Sequence, residues 1–189
     1  SKTLRGWAQG DLSVNRPIFS ALSLQADPQR VLVVVTDASG EQSEGGGGFW
    51  GTLGAASSKE WLSFSWEGSG QGAQRLDSSA HAELWTVLRV LRAATAEATE
   101  AQRPRLAFVI VDASSAAYAL NKGRVGGGSS ADMQQVVTDI MDMLAAHCIV
   151  LIALWVPRDH NAIADSLSHL SASLSLALTS GPCIETDFH

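Results

Sequence analysis

Two apolar strands that each lead into an aspartate place the strongest constraint on how this chain folds. Residues 31–35 form a continuous apolar, β-branched run that leads through Thr36 into Asp37. Residues 106–111 form a second such run, and Asp112 follows it directly. Unbroken apolar runs of this length are typical of strands buried on both faces of a sheet. If the two strands are parallel neighbours, both carboxylates emerge at the same edge of the sheet, where α/β proteins bind their ligands.

Further strands and helices alternate around these two strands. Strands are predicted at residues 49–56, 61–66 and 149–156, with residues 45–48 as a flexible glycine turn before the first of them. Apolar residues at helical spacing predict helices from Ser78 or Ser79 to about residue 101, over residues 116–120, from Ser129 or Ser130 onwards, and over residues 161–170. The order β-β-β-α-β-α-α-β-α predicts an α/β fold in which a mixed sheet carries helices on its faces.

Length and composition favour one compact domain. A chain of 189 residues that is 46% hydrophobic and 17% charged can bury a sizeable core. We assign residues 1–30 to an N-terminal connecting segment, residues 31–171 to the folded domain and residues 172–189 to a C-terminal tail. Apolar runs stop short of the ~20 residues that cross a bilayer, and the N-terminus does not resemble a signal peptide, so an intracellular protein (cytoplasm or nucleus) without a membrane partner is expected. Cys148 is expected to be a buried strand residue.

Glu83 and Asp165 complete a set of four acids with Asp37 and Asp112. Glu83 is expected in the first turn of its helix, and Asp165 in the last helix. Ligands that offer only oxygen select hard cations, so Mg²⁺ is the natural partner and Mn²⁺ a substitute. Two such ions about 4 Å apart can promote phosphodiester hydrolysis. Each acid alone is more often a helix cap or a turn residue, so the prediction rests on the joint pattern.

The segments around these acids resemble the ribonuclease H family over residues 31–170, about three quarters of the chain. The similar segments are residues 36–39 (TDAS), 78–84 (SSAHAEL), 111–123 and 155–168. The last two are most similar to the ribonuclease H domains of reverse-transcribing elements, of the tyrosine-recombinase and long-terminal-repeat groups. The resemblance implies a ribonuclease H-like fold: a five-stranded mixed sheet, with a three-stranded antiparallel part plus parallel strands, flanked by helices.

The same resemblance implies an activity and its residues. It implies that Asp37, Glu83, Asp112 and Asp165 are catalytic and bind two Mg²⁺ ions, with Asp37 bridging both. The implied substrate is the RNA strand of an RNA–DNA hybrid, which is cut to leave a 3′-hydroxyl and a 5′-phosphate. The implied partner is a reverse transcriptase domain of the same parent polyprotein.

Three features depart from the family pattern. Ala113 follows Asp112 where the retroelement pattern usually has Asn, and Trp155 stands ten residues before Asp165, where many members carry a His. His160 lies nearby, but it is as readily a solvated loop residue. Residues 85–105 lack the basic, aromatic insertion that some cellular members use to grip the hybrid. Together with the net charge of −6, these departures predict weak binding of the hybrid by this domain alone.

Several polar residues near the acids are candidate substrate contacts. They are Ser39, Ser114, Lys122, Arg124, Arg158, His160 and Asn161. Lys122 and Arg124 lie beside a glycine-rich stretch that can present backbone N–H groups to phosphate. The composition of this stretch favours a flexible linker over a phosphate-binding loop.

Three alternative functions stay open. The domain could be an inactive copy with a structural or protein-binding role in a larger polymerase or ribonucleoprotein assembly, or a different nuclease of the same superfamily. A nucleotide-binding protein is a weaker alternative, because its glycines would have to follow a strand and open a helix.

Overall fold

The computed structural model describes residues 27–39, 45–53, 60–66, 78–96 and 98–169. Its strands are β1 (Val31–Ala38), β2 (Gly45–Thr52), β3 (Glu60–Ser65), β4 (Leu106–Val111) and β5 (Val150–Trp155). Its helices are α1 (Ser79–Ala96), α2 (Ser114–Lys122), α3 (Ala131–Ala146) and α4 (Ala162–Ser168), and short 3-10 turns at Pro28–Arg30 and Arg158–His160 precede β1 and α4. The predicted order of elements is confirmed. Residues 1–26 and the expected tail at 172–189 lie outside the described residues.

The five strands form one mixed sheet in the order β3-β2-β1-β4-β5. The pairs β1–β2 and β2–β3 are antiparallel, whereas β1–β4 and β4–β5 are parallel. The expected three-stranded antiparallel part with added parallel strands is therefore confirmed. Because β1 and β4 are parallel neighbours, Asp37 and Asp112 emerge at one edge of the sheet.

Helix α1 forms the centre of the core. Its Leu84, Leu88 and Leu91 are fully buried at the expected helical spacing and pack in one cluster with Val137 and Ile140 of α3. The helix ends at Ala96, earlier than the expected residue 101. Helix α3 begins where the sequence predicts, because the Ser130 hydroxyl accepts a hydrogen bond from the Met133 N–H at 3.2 Å and so caps its first turn.

The prediction that residues 45–48 form a flexible turn is wrong. All four glycines belong to β2 and are buried, and Gly48, Gly47 and Gly46 pair with Thr36, Asp37 and Ala38 of β1. Glycine is uncommon inside a strand, where it usually marks a close approach of another part of the chain. The sequence predicts a turn here because glycine has a low propensity for strands. The helix packing that requires glycine at these positions is not visible in the local sequence.

Two helices approach this glycine run closely from opposite faces of the sheet. A Cβ atom added to Gly48 would lie 3.0 Å from Val90 Cγ2 of α1, and one added to Gly46 would overlap the hydroxyl of Thr86 on the same helix. A Cβ atom on Gly47 would lie 2.6 Å from Leu167 Cβ of α4. Residues that alternate along a strand face opposite sides. The missing side chains therefore allow α1 and α4 to sit against β2, one on each face.

The outer side of β5 is bonded to α2. The side-chain amide of Asn121 donates to the carbonyl oxygen of Ala153 at 2.8 Å, and its oxygen accepts from the Ala153 N–H at 3.0 Å. The expectation of a buried Cys148 is wrong, because this residue is exposed in the turn before β5, with a φ of 54°. Among the described residues, no helix is both long and apolar enough to span a membrane.

Candidate metal centre

Three of the four predicted acids meet at one edge of the sheet. Asp37, Glu83 and Asp112 each offer one carboxylate oxygen, and these oxygens lie within 4.8 Å of one another. Asp37 comes from the end of β1, and Asp112 directly follows β4. Glu83 comes from α1, where it lies in the second turn and not, as expected, in the first. Asp37 and Glu83 are buried, whereas Asp112 is half-buried and gives the cluster its opening to solvent.

Neighbouring donors hold two of these carboxylates in place. The Thr36 hydroxyl donates to Glu83 Oε1 at 2.8 Å, and the Ala38 backbone N–H also donates to this carboxyl. The Ser168 hydroxyl lies 2.6 Å from Asp37 Oδ2 and donates to it. Each buried carboxylate therefore has at least one oxygen fixed by a donor from a neighbouring element, which orients the remaining oxygens towards the shared space.

Burial and mutual repulsion raise the pKa of two acids in the cluster. Desolvation is the largest cause of the raised pKa of Glu83, which reaches about 8, and the charges of Asp37 and Asp112 add to it. The pKa of Asp112 is also raised, first by desolvation and then by the charge of Asp37, while Arg158 opposes the shift. A cluster of this kind favours any cation that enters it, because a cation removes the repulsion that otherwise keeps protons bound.

Asp165 lies beside the cluster but is bound to an arginine. Arg158 donates from Nε at 3.0 Å and from Nη2 at 2.7 Å to the same oxygen, Asp165 Oδ1, and His169 Nε2 lies 3.7 Å from that oxygen. The Asp165 charge still makes a small contribution to the raised pKa of Asp112. The expected convergence of four acids is therefore three acids in direct proximity and a fourth that is paired with Arg158.

The donor set fits a hard divalent cation. All three clustered ligands are carboxylates, and we find no His or Cys among the described residues of that cluster. Such an oxygen-only set suits Mg²⁺ or Mn²⁺ and is unlike the nitrogen and sulfur sets that zinc prefers. The residues present thus fit a divalent metal ion.

The candidate substrate contacts near the acids differ in exposure. Ser114 is exposed at the start of α2, two residues after Asp112. Ser39 is buried directly after β1. Asn161 is also buried, and its amide donates to the carbonyl oxygen of Thr36 at 2.8 Å, so it joins the start of α4 to the end of β1. Of these three side chains, Ser114 alone has free access from solvent.

The basic candidates fall into a near and a distant group. Arg158 is ion-paired with Asp165. His160 is exposed in the same 3-10 turn as Arg158, with its Nε2 3.9 Å from Asp159 Oδ2. Lys122 ends α2, about 12 Å along the helix axis from Ser114, and the exposed Arg124 follows it. The structure therefore brings Arg158 next to one of the four predicted acids, whereas Lys122 and Arg124 lie at the far end of α2 from Ser114.

Two residues of the site are absent from the sequence-based set. Ser168 binds Asp37, and its position three residues after Asp165 on α4 is a spacing that places two residues on one helix face. The Trp155 indole N–H donates to the backbone oxygen of Asp112 at 2.8 Å, although this side chain is 54% exposed. Helical spacing could have indicated Ser168. No local pattern indicates the contact of Trp155, because it crosses from β5 to the end of β4.

Comparison with known proteins finds similar structures but no similar sequences. No family model matches the chain, and no curated protein sequence does. It is similar to the crystal structure of RNase H1 from the halophilic archaeon Halobacterium salinarum NRC-1, with a TM-score of 0.52 and 14% identity over 78% of this chain and 98% of that one. It is similar to LC11-RNase H1, solved in complex with an RNA/DNA hybrid, with a TM-score of 0.52 and 14% identity over 77% and 99%. The predicted architecture is confirmed, and the chain has the ribonuclease H-like fold.

Proposed function

We propose that this chain is a metal-dependent endonuclease that hydrolyses the RNA strand of RNA–DNA hybrids. The observation that carries the proposal is the meeting of Asp37, Glu83 and Asp112 within 4.8 Å at the edge of the parallel strands. This placement, on a ribonuclease H-like sheet, supports phosphodiester hydrolysis over a purely structural role, because a buried acidic cluster without a cation costs folding free energy.

The proposed roles follow from where each side chain lies. Asp37, Glu83 and Asp112 would hold the Mg²⁺ ions, with Asp165 as the fourth ligand once it is free of Arg158. Bound ions would activate a water molecule and stabilise the leaving oxygen. Thr36 and Ser168 keep the Glu83 and Asp37 carboxylates oriented. The half-buried Asp112 leaves the opening through which a phosphate reaches the site.

Cleavage of a labelled RNA–DNA hybrid with Mg²⁺ tests the proposal. We expect the wild-type chain to cut the RNA strand and to leave a 3′-hydroxyl, with Asp37→Asn and Asp112→Asn each reducing the rate by at least about 100-fold. Asp142→Asn, which removes one exposed acid of α3, is the matched control and should cut like wild type. Cleavage by both site variants at the wild-type rate would exclude the proposed active site.

The reverse transcriptase context is a separate part of the proposal. It is supported by the sequence resemblance of residues 111–123 and 155–168 to reverse-transcribing elements. If a polymerase domain normally supplies part of the hybrid-binding surface, adding such a domain should lower the KM for the hybrid and leave kcat nearly unchanged. An unchanged KM would argue against that partner.

A further inference from the structure

Arg158 is a cationic side chain that binds the fourth acid, Asp165, at the edge of the acidic site. Its guanidinium makes two hydrogen bonds to Asp165 Oδ1, and it interacts electrostatically with Asp37 and Asp112 as well. This cationic side chain thus interacts with three of the four proposed ligands. Its own side chain is 67% exposed, so it reaches the acids from the solvent side, the side from which a substrate arrives.

We propose, resting on the nuclease function above, that Arg158 is a positioning residue: it keeps Asp165 from binding metal until a phosphate of the substrate takes its guanidinium. In the free protein, Asp37, Glu83 and Asp112 form the ready site for a first ion. While Arg158 binds Asp165 Oδ1, its positive charge beside this carboxylate opposes the approach of a second cation. Binding of the hybrid and binding of the second ion are therefore coupled through one side chain.

Because the Arg158–Asp165 ion pair is exposed to solvent, little free energy is needed to replace the carboxylate with a phosphate. Ion pairs in contact with water are weak, because solvent screens both charges and the long side chain loses freedom when it is held. The Arg158–Asp165 pair is of this kind, with side-chain exposures of 67% and 31%. A phosphate offers the same planar guanidinium two oxygens, which is the geometry that arginine binds best. A nearby phosphate can therefore displace the carboxylate.

Binding of Mn²⁺ to the full chain without nucleic acid is the first test. We expect one tightly bound ion and one weakly bound ion in the wild type. Arg158→Ala should strengthen the second site by roughly two- to fivefold, as expected for loss of an exposed ion pair that competes for the ligand. Arg158→Ala with Asp165→Asn should lose that gain. Arg105→Ala, at the opposite end of β4, is the control for loss of one positive charge and should leave the second site unchanged.

Hybrid binding in Ca²⁺ tests the other half of the exchange. Arg158→Ala should weaken binding of the hybrid. It should also reduce the slope of log affinity against log salt concentration by about one unit, as for loss of one phosphate contact. Arg158→Lys should restore part of the affinity. The proposal is overturned if Arg158→Ala leaves the second Mn²⁺ site unchanged or weakens it, or if the salt slope stays the same. Failure of the nuclease function looks different, because Asp37→Asn and Asp112→Asn would then cut the labelled hybrid at the wild-type rate.

Discussion

Glu83 is a buried acid of the site whose pKa is strongly raised. Its carboxyl is buried between β1 and α1 and has two donors, Thr36 and the Ala38 N–H, yet desolvation outweighs them and raises its pKa to about 8. In the metal-free protein this group is therefore protonated at neutral pH. A divalent ion needs the ionised form, so protons and metal compete at this position.

The first prediction concerns the stability of the metal-free protein against pH. Glu83 ionises near 4.5 in the unfolded chain but near 8 in the folded one, so between these values the folded state binds more protons. The free energy of unfolding should therefore fall as the pH rises through this window, by at most about 1.4 kcal/mol per pH unit. Urea unfolding in EDTA at pH 5 to 8 measures this slope.

Mg²⁺ and a neutral variant complete that experiment. Mg²⁺ should raise the free energy of unfolding more at pH 8 than at pH 6, because ionisation of Glu83 is then less costly. Glu83→Gln should remove most of the slope, and Glu100→Gln, which changes an exposed acid, should retain it. A metal-free wild type with stability that rises from pH 5 to pH 8 would contradict the raised pKa.

The Trp155 side chain gives a second prediction at this scale. Trp155→Phe keeps a ring at the end of β5 but loses the hydrogen bond to the Asp112 backbone oxygen. We expect a loss of about 0.5–1.5 kcal/mol in the free energy of unfolding. Trp155→Leu removes the ring as well and should cost more. Equal stability of Trp155→Phe and wild type would mean that the indole N–H contributes nothing.

At the scale of elements, the glycine run of β2 decides where two acids lie. Helix α1 carries Glu83 and contacts Gly46 and Gly48, and helix α4 carries Asp165 and contacts Gly47. The distance of each helix from the sheet therefore depends on the missing Cβ atoms. Side chains in this part of β2 would move both helices outwards, and the acids with them.

Gly47→Ala is the third prediction. The new Cβ atom would lie 2.6 Å from Leu167 Cβ and 2.7 Å from the Leu167 carbonyl carbon, so the α4 backbone has to shift. We expect a loss of about 1–3 kcal/mol in the free energy of unfolding, the usual cost of overpacking. Gly127→Ala is the control, because nothing lies within 4 Å of the added atom there. Similar stabilities of the two variants in urea unfolding would contradict the close approach.

The elements also show what a single sequence can predict and what it cannot. The bounds of β4 and the start of α3 follow from local signals, namely an apolar run that ends in Asp112 and a serine cap. The strand formed by residues 45–48 does not, because local propensity there opposes the structure and tertiary packing prevails. The Arg158–Asp165 ion pair could not be predicted either, because strand and helix patterns do not indicate which side chains bind one another.

At the scale of the whole molecule, the net charge bears on the proposed binding of nucleic acid. The net charge is −6, with 13 Lys and Arg residues against 19 acidic ones. Three of those acids form the candidate metal centre, and Arg158 interacts electrostatically with two of them, Asp37 and Asp112. We therefore expect few phosphate contacts by this domain alone, and weak binding of the hybrid remains a prediction.

The fourth prediction follows from that charge balance. We expect the affinity for an RNA–DNA hybrid in Ca²⁺ to fall by less than about 100-fold between 50 and 200 mM salt, because proteins with six to ten phosphate contacts lose about 10³ to 10⁵. Fluorescence anisotropy with a labelled hybrid gives the slope. A loss of 1,000-fold or more would show that the described surface underestimates the number of phosphate contacts.

The bond between Asn121 and β5 has a consequence for how copies of the molecule meet. An open strand edge is a template on which another chain can pair, and this is a common route to aggregation. At Ala153 the outward N–H and carbonyl groups are already taken by the Asn121 amide. A strand from a second molecule would have to break both bonds before it could pair with β5 at this position. We therefore expect little association of two molecules through the middle of this edge strand, even at high protein concentration.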